Sequence, residues 1–109
     1  MATIGKCLGQ SAPAATTPTN LYTVPAATQA DALWLDVCNR GGTSTTFRVS
    51  IAVGGGATAD KDYKFYDLPI AANDTYGQGV KWTLAATDVV RVYAGNASLS
   101  FSLHGLETT

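Results

Sequence analysis

The sequence predicts an all-β fold, an antiparallel β-sandwich of about seven strands with an extended N-terminal arm. Three observations indicate this. Apolar and polar residues alternate with a period of two along most of the chain. Turn-forming residues recur about every ten positions. No stretch of about 11 residues carries the apolar stripe of an amphipathic helix. Two packed sheets of an immunoglobulin-like or a jelly-roll arrangement fit this pattern.

Two strands, over residues 45–53 and 98–104, show the clearest alternation. Their predicted core faces consist of Phe47, Val49, Ile51 and Val53 in the first strand and of Leu99, Phe101 and Leu103 in the second. The intervening residues, including Arg48 and His104, then face outward. These two segments are the most clearly predicted strands of the chain.

Five further strands are predicted, over residues 20–25, 32–39, 61–68, 75–84 and 88–94. In the second of them Leu33, Leu35 and Val37 should point inward and Trp34 outward. Pro69 either ends the strand at 61–68 or confines it to a sheet edge, because proline cannot donate to a ladder. Gly77 and Gly79 weaken the strand at 75–84 and indicate a bulge or the close approach of another backbone.

Residues 1–19 are predicted to be an extended arm, and residues 20–109 the sandwich domain. Apart from Met1, Ile4 and Leu8 are the only large apolar side chains of the arm. Pro13 and Pro18 favour an extended, polyproline-like backbone. Regular structure should therefore begin near Leu21.

Charge and hydropathy argue against nucleic-acid and membrane partners. Seven Lys and Arg residues face eight Asp and Glu residues, and the basic residues do not cluster along the chain. Neither a signal-peptide pattern nor an apolar run of about 18 residues occurs. Charged residues make up only 14% of the chain, against about 25% in typical soluble domains. Such a surface is easy to bury against a neighbouring protein.

No residue pattern indicates catalysis, a metal site or a cofactor. Cys7 and Cys38 lack the spacing of a zinc or redox motif. Cys38 is expected to be a free thiol of the core, with a Cys7–Cys38 disulfide as the alternative. His104, the single histidine, has no ligand cluster or nucleophile signature around it and is predicted to be a surface or interface residue. The chain is therefore predicted not to be an enzyme.

Two loop motifs and an aromatic cluster also have ordinary structural interpretations. The pair Asp60 and Asp62 does not continue into a calcium-loop pattern, and the glycines at 54–56 lack the residues of a phosphate-binding loop. The aromatic residues at 63–93 can pack between sheets or serve an interface. Because Tyr63 and Phe65 should alternate with Tyr66, at least one of these rings is expected outside the core.

Several segments resemble a group of small all-β virion proteins of tailed bacteriophages. They are LGQSAPAATTPTNLYTVPAATQA at 8–30, VCNRGGTSTTFRVSIAVGG at 37–55, DKDYKFYDLPIAANDT at 60–75 and LAATDVVRVYAGNASLSFSLHGLE at 84–107. Together they span nearly the whole chain, and they are structural rather than catalytic. The sequence departs from the family pattern at Trp34–Leu35–Asp36 and at residues 76–79.

The resemblance implies a capsid decoration or cement protein, made in the host cytoplasm and carried on the capsid surface of the virion. Its partners would be the major capsid protein and further copies of itself, as a homotrimer that stabilises the head. Partner contacts are expected from the arm and from the loop at 54–62. The residues predicted to make them are Ile4, Leu8, Pro13, Pro18, Asp60 and Lys61.

The alternative is a tail, baseplate or head-fibre component that binds a host receptor or glycan. In that case Trp34, Tyr66 or Tyr76 would stack on a sugar ring. Neither alternative requires a cofactor.

Overall fold

The alternating segments form β-strands that pair in two antiparallel sheets. A computed structural model describes residues 2–109; Met1, the first residue of the predicted arm, lies outside the described residues. The strands are β1 (Thr3–Ser11), β2 (Thr19–Thr23), β3 (Gln29–Asn39), β4 (Thr45–Ala52), β5 (Tyr63–Ile70), β6 (Thr75–Leu84), β7 (Val89–Ala94) and β8 (Leu99–Thr108). Two short 3-10 turns, Val53–Gly55 and Asp60–Asp62, lie between β4 and β5.

The strand order identifies the sandwich as a jelly roll. One sheet has the order β1-β8-β3-β6 and the other β2-β7-β4-β5. The pairs β1 with β8, β2 with β7, β3 with β6 and β4 with β5 are those of one long antiparallel hairpin. The additional pairs of β3 with β8 and β4 with β7 roll this hairpin into two sheets. Of the two arrangements that the sequence allowed, the structure therefore has the jelly roll.

The sandwich has eight strands where about seven were predicted, because residues 3–11 form a strand and not an extended arm. β1 pairs with β8 from Thr3↔Thr108 to Ser11↔Phe101. Leu8 is only 8% exposed and belongs to the hydrophobic core. A Cβ atom at Gly9 would lie 2.0 Å from the carbonyl oxygen of Leu21, so β1 also packs closely on β2. Regular structure thus begins at Thr3, well before the predicted start near Leu21.

All seven predicted strands are confirmed, although their observed ends differ from the predicted ones by a few residues. Pro69 lies in β5, which is an edge strand, in agreement with the constraint that proline imposes. Val53 was predicted to face the core, but β4 ends at Ala52 and a 3-10 turn leaves Val53 81% exposed.

The inward position predicted for Leu33 is also wrong. The pairing register of β3 shifts between Ala32 and Trp34 against both of its neighbours. This β-bulge turns Ala32 into the core in place of Leu33, which is 39% exposed beside the outward Trp34. Leu35 and Val37 resume the predicted inward alternation and are fully buried.

The core fills the space between the two sheets. Phe47, Phe101, Leu35, Leu99 and Leu103 are among its largest fully buried side chains. Phe47 contacts Phe101 edge to face, with ring centroids 6.0 Å apart. Near the β5 and β6 edges the core continues into half-buried Phe65, Tyr76 and Trp82.

Candidate functional site

Part of the outer face of the β1-β8-β3-β6 sheet presents small and uncharged side chains around one exposed indole; the exposed charged residues Asp31 and Lys81 lie outside this part. Two rows of residues lie directly across its four strands, and we call them the indole face. The first row is Cys7, His104, Trp34 and Gly79; the second is Gln10, Ser102, Asp36 and Gly77. Asp36 is the only carboxylate in these eight positions, so the face is nearly free of charge.

Trp34 is held in place by β6 and by its own strand. Cβ atoms at Gly77 and Gly79 would lie 3.1 and 3.6 Å from its ring, so the indole covers both glycines. The indole Nε1 donates a hydrogen bond to Oδ1 of Asp36 at 2.8 Å. Trp34 is nevertheless 45% exposed. The group that covers the two glycines is thus a side chain and not another backbone, while the predicted bulge corresponds to the register shift against β3 between Gly79 and Trp82.

The opposite face of the sandwich carries a cluster of tyrosines and arginine. The guanidinium of Arg48 lies 4.2 Å from the ring centroid of Tyr66 and 4.5 Å from that of Tyr93. It also donates to Asp67, with Nε 2.7 Å from Oδ1 and Nη2 3.3 Å from Oδ2, and this hydrogen bonding raises the pKa of Arg48. Tyr63 packs edge to face on Tyr66 at 4.9 Å.

The positions of these rings settle the question of which aromatic residues lie outside the core. Tyr66 is 59% exposed, as the alternation required of at least one ring. Tyr63 was expected on the Phe65 face, but register shifts between β4 and β5 place it beside Tyr66. Tyr76 is half-buried, with its ring 5.6 Å from Phe47 and 5.8 Å from Phe65.

A groove of about 640 Å³ opens between the β4–β5 connection, β5 and β6. Lys61, Lys64 and Lys81 line it, and we call it the lysine groove. Ile51, Trp82 and Leu84 supply apolar lining. Basic residues that are scattered in the sequence are thus brought together: three of the seven basic side chains share this groove.

The two aspartates of the lysine groove bond to backbone amides. Oδ2 of Asp62 accepts a hydrogen bond from the Ala59 N–H at 2.9 Å. Asp88 accepts from the Gly54 N–H at 2.8 Å and from the Ala85 N–H at 2.9 Å. Both residues are buried. They fix the two loops that border the groove, and the lysines remain its exposed charges.

The residues predicted to bind a partner are spread over different parts of the fold. Ile4 is 61% exposed near the start of β1, whereas Leu8 and Pro13 are buried in their own domain. Pro18 lies on the tyrosine and arginine side, beside Tyr93 and Arg91. Exposed Asp60 and Lys61 lie on the second 3-10 turn, and of the two only Lys61 lines the lysine groove.

The predicted glycan-stacking residues do not form one site. Trp34 and Tyr66 lie on opposite faces of the sandwich, while the Tyr76 ring packs against core phenylalanines. The Tyr76 hydroxyl donates to Gln78 Oε1 at 3.0 Å. A stacking platform would therefore have to be built on Trp34 or on Tyr66 separately.

Both thiols are free, and His104 faces outward as predicted. Cys38 is half-buried on the outer side of β3, so its expected place in the core is wrong. Within residues 2–109, no group of three or more His, Cys, Asp or Glu side chains is arranged to hold a metal ion. The same residues contain no helix that is long and apolar enough to cross a membrane.

One partly buried polar contact joins the two sheets at the end of the sandwich that holds the termini. The hydroxyl of Tyr22 on β2 donates a hydrogen bond to Glu107 on β8. Lys6 Nζ lies 3.1 Å from the other carboxylate oxygen of Glu107. The hydrogen bonds from Tyr22 and Lys6 lower the pKa of Glu107, while burial and the carboxylate raise that of Tyr22.

Comparison with known proteins leaves the site to be interpreted from its own chemistry. No protein-family model matches the chain, and no curated protein matches it significantly. Sequence reasoning had missed the Tyr–Arg cluster and the lysine groove because both depend on pairing between distant strands. The clearest available signal was the alternation that pointed Arg48, Tyr66 and Tyr93 outward.

Proposed function

We propose that this protein is a non-enzymatic structural component of a bacteriophage virion, a decoration protein that binds the major capsid protein lattice as an oligomer. The observation that best supports this proposal is the indole face, which has one exposed Trp and a single carboxylate among eight positions across four strands. Interface centres are depleted in charged residues and enriched in aromatic ones. Burying small neutral side chains requires little desolvation of charge.

The jelly roll is compatible with this role. It occurs in viral capsid domains and in lectins alike, so it does not distinguish between them. The sequence resemblance to small all-β virion proteins supports the first of these. A trimer would present three indole faces to a repeating lattice, and linked contacts of modest strength then add up to tight binding.

Ile4 remains a candidate contact because it is 61% exposed. Leu8 and Pro13 are better understood as core residues of the protein itself, since both are buried in it. Of the residues predicted to contact a partner, only the exposed ones therefore remain candidates. This change moves the proposed interface from a free arm to the outer surface of a folded sheet.

The test is co-sedimentation of the purified protein with expanded capsids that lack it. We expect Trp34→Ala to reduce capsid occupancy and Tyr66→Ala, on the opposite face, to leave it unchanged. Quantitative mass spectrometry of virions should then find hundreds of copies, as lattice binding requires. A handful of copies per particle, or equal occupancy by wild type and Trp34→Ala, would contradict the proposal.

A tail or fibre component that binds glycans is the second candidate, and the exposed indole of Trp34 favours it. An aromatic ring fixed over glycines by a hydrogen bond to Asp36 is a rigid platform for a sugar. Glycan-array binding by the isolated protein, lost in Trp34→Ala, together with labelling confined to the tail, would favour this candidate over the first.

A further inference from the structure

We propose that the lysine groove binds an extended acidic segment of a partner polypeptide. This site is separate from the indole face and does not depend on the virion role. The groove has three features that together fit such a ligand. They are exposed ammonium groups, apolar lining and two free strand edges.

The charge of the groove is the first feature. Among residues 2–109 the ion pairs are Lys6 with Glu107 and Arg48 with Asp67, so none of the three groove lysines has an ionic partner. The buried carboxylates of Asp62 and Asp88 hydrogen-bond to loop amides instead. The exposed charge that a ligand meets is therefore positive, and complementary charge favours an acidic ligand.

The shape of the groove is the second feature. Lys64 lies on β5 and Lys81 on β6, while Lys61 lies on the connecting turn, so the positive charges come from separate walls. Ile51, Trp82 and Leu84 line the space between them. A single small anion would leave most of the 640 Å³ empty, whereas a chain with acidic and apolar residues could contact both kinds of lining.

The strand edges are the third feature. β5 and β6 are each at the edge of a sheet and pair on one side only. Unpaired backbone groups of an edge strand can bind an extended chain by adding it to the sheet. Lysine on an exposed edge commonly prevents pairing with a like strand. Here the lysines would select a partner strand that carries carboxylates.

The experiment uses Trp82 as the reporter in a Trp34→Phe variant, in which it is the remaining tryptophan. The probe is a synthetic peptide of about nine residues in which Glu alternates with Val, a length that can span most of an edge strand. We expect a saturable change in Trp82 emission that weakens as salt is raised. The matched peptide with Gln in place of Glu should bind at least about tenfold more weakly.

Charge-removal variants locate the binding. Lys61→Gln, Lys64→Gln and Lys81→Gln combined should weaken binding of the Glu peptide by about tenfold or more. These side chains are exposed, and circular dichroism would verify that the triple variant folds. Lys6→Gln, on β1 at the sheet edge opposite β6, is the matched control and should retain binding.

Three results with the peptides would overturn the proposal. They are no saturable binding of the Glu peptide, equal binding of the Gln peptide, and full binding by the folded triple variant. Tighter binding of a single-stranded oligonucleotide or of a sulfated oligosaccharide than of the Glu peptide would also overturn it, in favour of a different polyanion. None of these results would by itself alter capsid occupancy through the indole face, so the two proposals fail independently.

Discussion

Asn39 shows how one polar side chain can organise a buried loop junction. It is 1% exposed, at the end of β3. Its Nδ2 donates to the carbonyls of Thr43 and Ala71 at 2.9 and 3.1 Å, and its Oδ1 accepts from the Gly41 N–H at 3.0 Å. A buried amide is tolerated here because each of its polar atoms has a partner.

We expect Asn39→Ala to lower the free energy of unfolding by about 2–4 kcal/mol, since two carbonyls and an amide lose their partner. Urea denaturation would measure the change. Asn20→Ala is the control: Asn20 is exposed and its one side-chain hydrogen bond, from Arg91 Nε at 3.0 Å, lies at the surface, so its replacement should lower stability by less than about 1 kcal/mol. Equal effects of the two substitutions would show that the buried network is not stabilising.

Glu107 should make stability depend on pH. Its pKa is lowered in the folded protein, chiefly by the hydrogen bond from Tyr22 and then by that from Lys6. A lowered folded pKa stabilises the protein at pH values above the unfolded pKa of about 4.3, and that stabilisation is lost as pH falls through the folded value. The stability difference between wild type and Glu107→Gln should therefore be largest near neutral pH and shrink in acid.

Unfolding curves at a series of pH values would test this. In a Tyr22→Phe background the main hydrogen bond to Glu107 is absent, so the pH-dependent part of the difference should become smaller. A stability difference that stays constant from neutral pH into acid would contradict the assignment.

At the scale of elements, β1 was the strand that sequence patterns missed. Its residues Thr3–Ser11 include two glycines, and a register shift between Cys7 and Gly9 interrupts its alternation. Leu8 is the only large apolar side chain in it that reaches the core. Such a strand is stabilised by pairing with β8 and by its approach to β2, and neither contact can be read from its own composition.

The bulge in β3 is a second place where the sequence pattern did not predict the structure. Period-two alternation correctly predicted that Leu35 and Val37 are buried, but it assigned Leu33 to the core as well. A bulge adds one residue and thereby reverses the alternation on one side of it. Alternation had already predicted that Trp34 faces outward; the bulge adds an exposed Leu33 beside it. The simple pattern therefore failed next to the indole face and not within it.

Substitutions in β1 distinguish a structural strand from a free arm. Leu8→Ala should lower the free energy of unfolding by about 2–4 kcal/mol, because it leaves a cavity in the core. Ile4→Ala should change it by less than about 0.5 kcal/mol, because Ile4 is 61% exposed. Thermal and urea unfolding would measure both. Similar small effects at the two positions would indicate that β1 is not part of the folded core.

Gly77 should be required for the position of the indole. A Cβ atom there would lie 3.1 Å from Cζ2 of Trp34 and 3.3 Å from Oδ1 of Asp36. Gly77→Ala should therefore displace the ring and change its near-ultraviolet circular dichroism and fluorescence. Gly79→Ala is the matched control, since its Cβ would make an ordinary contact at 3.6 Å. Identical spectra for wild type and Gly77→Ala would contradict this packing.

At the scale of the whole molecule, sequence patterns predicted the layers but not the way in which they are connected. Seven strands and their turns were located because alternation and turn residues are local properties. The choice between a jelly roll and an immunoglobulin-like sandwich depended on β1, since the jelly roll is completed only when β1 pairs with β8. The lysine groove could not be predicted for the same reason, since it exists only because the edge strands β5 and β6 of the two sheets lie next to each other.

The pairing of β1 with β8 brings the two ends of the described chain together. The Ala2 N–H donates to the Thr109 carbonyl at 3.1 Å, and the Thr109 N–H donates to the Ala2 carbonyl at 2.9 Å. Sheet formation must therefore bring together residues from opposite ends of the sequence. Folds dominated by such distant pairings close large loops and fold slowly, in milliseconds to seconds.

A circular permutant tests this topology. Residues 109 and 2 would be joined by a loop of about four residues, which turns β8 and β1 into a hairpin. The chain would be opened between the exposed Ala26 and Ala27. This break lies between β2 and β3, which are in different sheets and do not pair, so it interrupts no ladder. It also shortens the separation in sequence between β2 and its partner β7.

We expect the permutant to fold to the same sandwich and to refold faster than the parent chain, because β1 pairing with β8 no longer requires closure of the longest loop. Stopped-flow refolding followed by tryptophan fluorescence would measure the rate, and near-ultraviolet circular dichroism would compare the folded cores. The control is the parent chain with the same short loop appended to residue 109 but not joined. An unfolded permutant would contradict the pairing of the chain ends, and an unchanged refolding rate would show that another step limits folding.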